Sequence, residues 1–422
     1  MEMVGVGSGE EDRGPVRVGD GEIATLGHVS GDLIVGRHAT IRGEGTPPAL
    51  EVEGIVRCLG YCTFDCSLRA RGLEARGDVE VLGDLEVQGP VRVRGGSLRV
   101  SGSAKARRID VDEQLRVEGS LEAEEIHVGG AVRVSGDADV GLVSVGGTLH
   151  ASGRFKADEV RVGGTVRLDG EADVGLLDVG GTARLASGRV GEADVGGTLR
   201  ASGELRFNRI DVGGTVVLAG GQGGDVRVGG ALRVHGPLRS FSTINVGGAV
   251  FLTGPTKGER VRVGGTLEVD GDLELTGPLT VGGQARINGA LRAGSVKVGG
   301  TLRANKIEAQ GEVRVGGLIS TLEGVQADLV EIGRRGRIEG PVRARRVRLR
   351  ERARAEDIWA DEIVLEEGAR ARNLYGKRIY IEYGCAITGE VKYVEELVAE
   401  EHVRFARTPE KVEKPEDIGL KT

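Results

Sequence analysis

The tripeptide Val-Gly-Gly recurs twelve times, beginning at Val128, Val145, Val162, Val179, Val195, Val212, Val228, Val246, Val263, Val281, Val298 and Val315. Counted from start to start, the intervals are 17, 17, 17, 16, 17, 16, 18, 17, 18, 17 and 17. A fixed period of this kind marks a repeat architecture. It is too short for helix-pair arrays, which need about 33 residues or more, and for leucine-rich repeats, which need about 20 or more. What remains is a coil of about 17 residues.

Within a coil the apolar residues come in i, i+2 pairs: Leu199 and Ala201, Leu205 and Phe207, Ile210 and Val212, then Val216 and Leu218. Such alternation is the mark of short strands facing one interior. The steps between pairs are 6, 5 and 6, so each coil has three sides with two inward residues on each. This predicts an all-β chain folded as a single three-sided parallel β-helix. Val-Gly-Gly falls at a corner, where glycine is expected to take positive φ and to let stacked backbones approach closely. The same register runs through Leu68/Ala70, Leu85/Val87 and Ile109/Val111 upstream, and through Val330/Ile332, Val347/Leu349, Ile363/Leu365 and Ile379/Ile381 downstream. Stacking at that period gives roughly 22 coils. Left-handed helices built on a hexapeptide repeat keep six positions on every side, so every interval should be 18. Only two of the eleven intervals here are 18, and a right-handed path is favoured.

The expected organisation is a disordered tail over residues 1–14, a continuous β-helix over 15–406 and a charged, solvated C-terminal tail over 407–422. Within the helix, residues 126–317 form the regular Val-Gly-Gly array and 318–406 the last coils. The 74 glycines against 10 prolines exclude collagen, and strictly placed apolar residues exclude disorder. No signal peptide or membrane span is legible, and four cysteines in such a chain fit a reducing cytoplasm rather than a disulfide framework.

A β-helix enzyme carries its catalytic groups on loops that project from the coils, and the array leaves no room for them. The six histidines have no metal spacing, and no Ser/His/Asp grouping is legible. No enzyme activity, cofactor or metal is expected. Residues Gly220 to Asp225 mimic the start of a calcium-binding nonapeptide, but Arg227 stands where a large apolar residue belongs, so they read as a glycine-rich turn. Cys58, Cys62 and Cys66 are spaced by four, and the register turns Cys58 and Cys62 inward beside Val56 and Phe64. Small buried core thiols are therefore expected.

The outward residue after each Val-Gly-Gly corner forms a column: Arg133, His150, Arg167, Arg184, Arg200, Val217, Arg233, Phe251, Glu268, Arg286 and Arg303. Like charges one strand spacing apart repel, so neighbouring acids or an anionic partner must offset them. Ten further arginines lie between Arg334 and Arg354, with Glu331, Glu339 and Glu351 nearby. A solvated face laced with ion pairs is favoured over a docking face. A net charge of −7 and the lack of interleaved aromatics argue against nucleic acid. Half of the aromatics, Trp359, Tyr375, Tyr380, Tyr383, Tyr393 and Phe405, lie near the C-terminus and read as a cap or an interface.

The stretch Val330-Glu331-Ile332-Gly333 through Ile338-Glu339-Gly340-Pro341-Val342-Arg343-Ala344, followed by Ile363-Val364-Leu365-Glu366-Glu367-Gly368-Ala369, resembles the bactofilin family of polymer-forming cytoskeletal proteins. The likeness is periodic, and best over residues 325–406. It implies a right-handed β-helix that assembles end to end into non-polar filaments without nucleotide and serves as an intracellular scaffold. This helix is far longer than that family's usual core. The membrane-targeting segment common there is not expected here, because Met1 to Gly5 is followed by Glu10, Glu11 and Asp12.

The expected function is thus a non-enzymatic cytoplasmic scaffold that self-assembles through its ends. The N-terminal joint would be built from Val16, Val18, Ile23, Leu33 and Val35, and the C-terminal joint or cap from Tyr380, Tyr383, Tyr393 and Phe405. The alternative is a monomeric binding module that docks an anionic or protein partner through Arg133, Arg167, Arg184, Arg200, Arg233, Arg286 and Arg303.

Overall fold

The computed structural model describes residues 14–420. It is all-β, with parallel strands stacked into about 23 turns of roughly 17 residues. The chain divides into two compact units, residues 1–196 and 197–422. The tail expected over residues 1–14 lies, except for Gly14, outside the described residues.

A representative turn of the first unit uses two strands. Leu121–Val128 bends once and supplies two sides, with Leu121, Ala123, Ile126 and Val128 buried; Ala131–Val134 supplies the third, with Val132 and Val134 buried. These residues lie in register with Ala138, Val140, Val143, Val145, Leu149 and Ala151 of the next turn. Three inward pairs per turn follow from the period-two alternation, since a parallel ladder preserves which face each residue takes. The second unit repeats the scheme. Thr301–Ala309 brings in Leu302, Ala304 and Ile307, and Glu312–Val315 brings in Val313 and Val315.

The double-glycine corner works differently from expectation. Gly129, Gly130, Gly146, Gly147, Gly163 and Gly164 are absent from the positive-φ residues. They are needed for close approach alone. The Gly146 amide donates to Val128 O at 2.9 Å and the Gly147 amide to Gly130 O at 2.9 Å. A Cβ at Gly146 would lie 2.2 Å from Gly129 O, and one at Gly163 2.4 Å from Gly146 O. The stacked corner backbones therefore leave no room for a side chain.

The Gly220 to Asp225 segment lies inside the strand Thr215–Val228 rather than in a turn. A Cβ at Gly223 would fall 2.4 Å from the Phe207 ring, which stacks beside it. That glycine makes room for a large inward side chain of the adjacent turn.

Both ends of the described chain correct the expectations. The first turn consists of β1 (Val16–Val18), β2 (Ile23–Leu26) and β3 (His28–Val29). Val16 occupies an inward position in register with Leu33 yet is 41% exposed. Ile23 pairs with outward Thr40 and is 60% exposed, so its side chain leaves the core instead of joining it. Leu33 and Val35 belong to the second turn and are fully buried. At the other end, residues 407–420 are not wholly solvated. Glu410–Lys411 forms a short strand on Lys392 and Tyr393, and a 3-10 turn over Pro415–Ile418 buries Ile418.

Candidate functional site

The solenoid presents outward side chains as columns, because each ladder partner lies directly beside its counterpart in the next turn. In the first unit Arg133, His150, Arg167 and Arg184 are successive partners. Arg99 and Arg116 extend that column on its N-terminal side; the reading from the Val-Gly-Gly corner missed them because no such tripeptide precedes them. In the second unit Arg200, Val217, Arg233, Phe251, Glu268, Arg286 and Arg303 stack in the same way.

Acids offset part of this charge. Glu118 accepts from Ser135 Oγ at 2.8 Å and pairs with Arg116, and these hydrogen bonds, in that order, hold its carboxyl below the usual range. Asp169 bridges Arg167 at 2.8 Å and His150 at 2.9 Å, and the bond from Arg167, then that from His150, lowers its carboxyl likewise. Arg233 sits over the Phe251 ring, 5.2 Å from its centroid. Arg286 reaches Glu268 at 3.9 Å. Arg133, Arg184, Arg200 and Arg303 enter no ion pair among the described residues.

The arginine-rich run of the second unit is mostly neutralised. Arg334 pairs with Glu351, Arg337 with Glu339, Arg345 with Asp328, Arg346 with Glu362, Arg348 with Glu366 and Arg350 with Glu331. This is the laced face that the sequence favours.

A second column escaped the sequence reading. On the side that begins each long strand, the outward residues of the first unit run Glu51, Arg69, Glu86, Lys105, Glu122, Asp139, Lys156, Asp173 and Arg189. Signs alternate at nearly every step. Arg69 reaches Glu86 at 2.8 Å, Lys105 reaches Glu122 at 2.8 Å and Lys156 reaches Asp139 at 3.0 Å. Opposite charges directly across a ladder stabilise the pairing they mark. The corresponding column of the second unit runs Lys257, Glu274, Arg292, Glu308 and Gln326, then turns aromatic with Arg343, Trp359, Tyr375 and Lys392.

Of the residues expected at the N-terminal joint, Val16 and Ile23 are accessible, while Val18, Leu33 and Val35 are buried. At the C-terminal end Tyr383 is 48% exposed and packs against His402, with ring centroids 5.0 Å apart. Tyr380, Tyr393 and Phe405 are half-buried, and the Tyr380 hydroxyl donates to Glu396 at 3.0 Å.

All four cysteines are buried and unbridged. Cys58 and Cys62 face the core beside Val56 and Phe64, as the register requires. The hydrogen bond with Cys62, then burial, pushes the Cys58 thiol well above its ordinary range, and burial pushes Cys66 up to about 11. The Cys62 thiol reaches Gly36 O and Gly60 O at 3.4 Å. No group of three or more His, Cys, Asp or Glu suited to a metal is found among the described residues. Changing Cys58, Cys62 and Cys66 to Ser is expected to cost about 1–3 kcal/mol per site through buried hydroxyls. Elemental analysis should give no zinc or iron before or after the change; one metal per chain would contradict the core-thiol reading.

A groove of about 670 Å³ on the first unit is lined by Glu86, Lys105, Glu122 and Asp139 among others, and two of these lining residues, Lys105 and Glu122, are ion-paired with each other. No helix among the described residues is long and apolar enough to cross a membrane. No family model, curated protein or solved structure matches this chain.

Proposed function

We propose that this chain is a non-enzymatic structural protein, a bactofilin-like cytoplasmic scaffold whose copies join through the ends of their β-helices without nucleotide. The observation that carries this reading is the first turn. Among the described residues β1, β2 and β3 pair only with the second turn, so their other edge offers unpaired N–H and C=O groups beside exposed Val16. Such an edge is a template for another strand. Two copies meeting there would pair those groups and cover Val16 together. The sequence contains no phosphate-binding loop through which a nucleotide could act.

Light scattering and sedimentation at tens of micromolar test it. The unmodified chain is expected to associate in low and physiological salt alike. Val16→Glu places a charge on the joint and is expected to abolish association through this end, whereas Ser144→Glu, on an outward position of the first unit, should leave it intact. A chain that stays monomeric in both salts would overturn the reading.

A second reading has its own support: Arg133, Arg184, Arg200 and Arg303 make no ion pair among the described residues. A binding module would use them on an anionic partner. Capture by an anionic resin that collapses steeply between low and high salt would favour it.

A further inference from the structure

The C-terminal segment rests on the outward face that carries Arg343, Trp359, Tyr375 and Lys392. Trp359 and Tyr375 stack with centroids 5.1 Å apart and an interplanar angle of 16°. The Arg343 guanidinium covers the other side of Trp359, 4.8 Å from the ring centroid, and its Nη1 donates to Gly419 O at 3.2 Å. Gly419, in the left-handed conformation, lies against the indole: a Cβ there would stand in ordinary contact, 3.8 Å from Trp359 Nε1. Ile418 is buried beside it, and the 3-10 turn packs on the strands Asn373–Ile381 and Val391–Ala399. Glu410 pairs with Lys392 at 3.4 Å, and the Val412 amide donates to Tyr393 O at 2.8 Å. The chemistry of the face and of the segment match: a cationic, aromatic column holds a short acidic peptide with a single aliphatic anchor.

The attachment is slender. Its ladder is two residues long, and Ile418 is the only buried residue among 407–420. Segments with so few apolar contacts open well below the global unfolding free energy. Their position also matters. Glu410–Lys411 adds a partial rung to one side of the last turn, while among the described residues Arg378–Ile381 and Ala386–Ile387 are capped only by Glu396–Ala399 and Arg404–Phe405. That end is therefore uneven, and a second end cannot meet it flush on all three sides while the segment is in place.

We propose that residues 410–420 form a releasable strap whose docking site is the Arg343–Trp359–Tyr375–Lys392 face, and that the strap in place keeps the C-terminal edge from joining another copy. The gating half rests on the end-to-end reading above; the docking half does not.

Trp359 is the only tryptophan, so its fluorescence reports the strap directly. In the full-length chain Ile418→Asp should red-shift the emission and at least double acrylamide quenching. A synthetic peptide of residues 407–420 at about 1 mM, the effective concentration of a short tether, should reverse both. The same peptide carrying Ile418→Asp should not. Far-UV circular dichroism unchanged by the substitution keeps misfolding out of the comparison. The Ile418→Asp chain should also sediment as longer assemblies than the unmodified chain, and the peptide should shorten them. Unchanged Trp359 fluorescence, or no response to the peptide, overturns the strap itself. A full fluorescence response with assemblies of unchanged length overturns the gating. If neither chain associates at all, it is the end-to-end function that fails, while the docking site stands on its fluorescence.

Discussion

Deleting one whole turn, Gly147 to Gly163, is expected to leave a soluble, folded protein. Gly146 then joins Gly164, restoring a Val-Gly-Gly corner followed by Thr165. One layer of inward residues, Leu149, Ala151, Phe155, Ala157, Val160 and Val162, is lost intact. Ala138 and Val140 then meet Ala172 and Val174, Val143 and Val145 meet Leu177 and Val179, and every inward position keeps an apolar partner. The cost falls on the surface: Asp139, now separated from Asp173 by Lys156, would face it directly. Added salt should relieve that repulsion. Removing only Gly147 to Phe155 shifts the remaining chain by nine positions, an odd number. Asp158, Asp169 and Glu171 would then take the places of Leu149, Val160 and Val162 and be driven inward. Unpaired buried charges of that kind are not tolerated. Size-exclusion chromatography and urea unfolding decide the matter: the whole-turn deletion should elute as a folded species with a slightly lower m-value, and the nine-position deletion should be aggregated or unfolded. Equal damage from both would refute the three-sided register.

The second large effect is expected at the glycine corner. Gly163→Val places a Cβ within 2.4 Å of Gly146 O. The neighbouring backbone cannot yield, because the Gly163 amide is already bonded to Val145 O at 3.0 Å and that of Gly164 to Gly147 O at 3.1 Å. Overpacking a site that can relax costs about 1–3 kcal/mol, and this site has less freedom than a core side chain, so a loss at or above the top of that range is expected by urea denaturation. Gly72→Ala is the matched control. Its added Cβ would meet Ile55 Cγ1 at 3.5 Å, an ordinary contact, and its φ is not positive. It should be close to neutral. A neutral Gly163→Val would mean that the spacing of the stacked corner backbones does not require glycine there.

Much of the molecule follows from two periods read along the chain. Side chains alternate with period two and turns repeat near 17, so the inward set, the columns and the burial of Cys58 and Cys62 are arithmetic once the three sides are counted. The same arithmetic runs the arginine column upstream to Arg99 and Arg116, although no Val-Gly-Gly precedes them. It fails where the period is broken. Between Val16 and Gly60 the turns are irregular, and Ile23, apolar in a strand, stands on the outward face because its partner is Thr40.

Other features belong to the tertiary structure alone. The reason for the double glycines lies in the distance between corner backbones of successive turns, which neither residue's own preference contains. Whether an arginine is neutralised depends on lateral reach to a carboxylate in another turn, as between Arg350 and Glu331. The strap is the clearest case. Residues 407–420 carry the composition of a solvated tail, yet Arg343 and Gly419, far apart along the chain, hydrogen-bond beside Trp359. Local sequence decides which residues can lie in a strand and face inward. It cannot decide which distant surface a short polar segment will cover, because that depends on a complementary face which exists only after the turns have stacked.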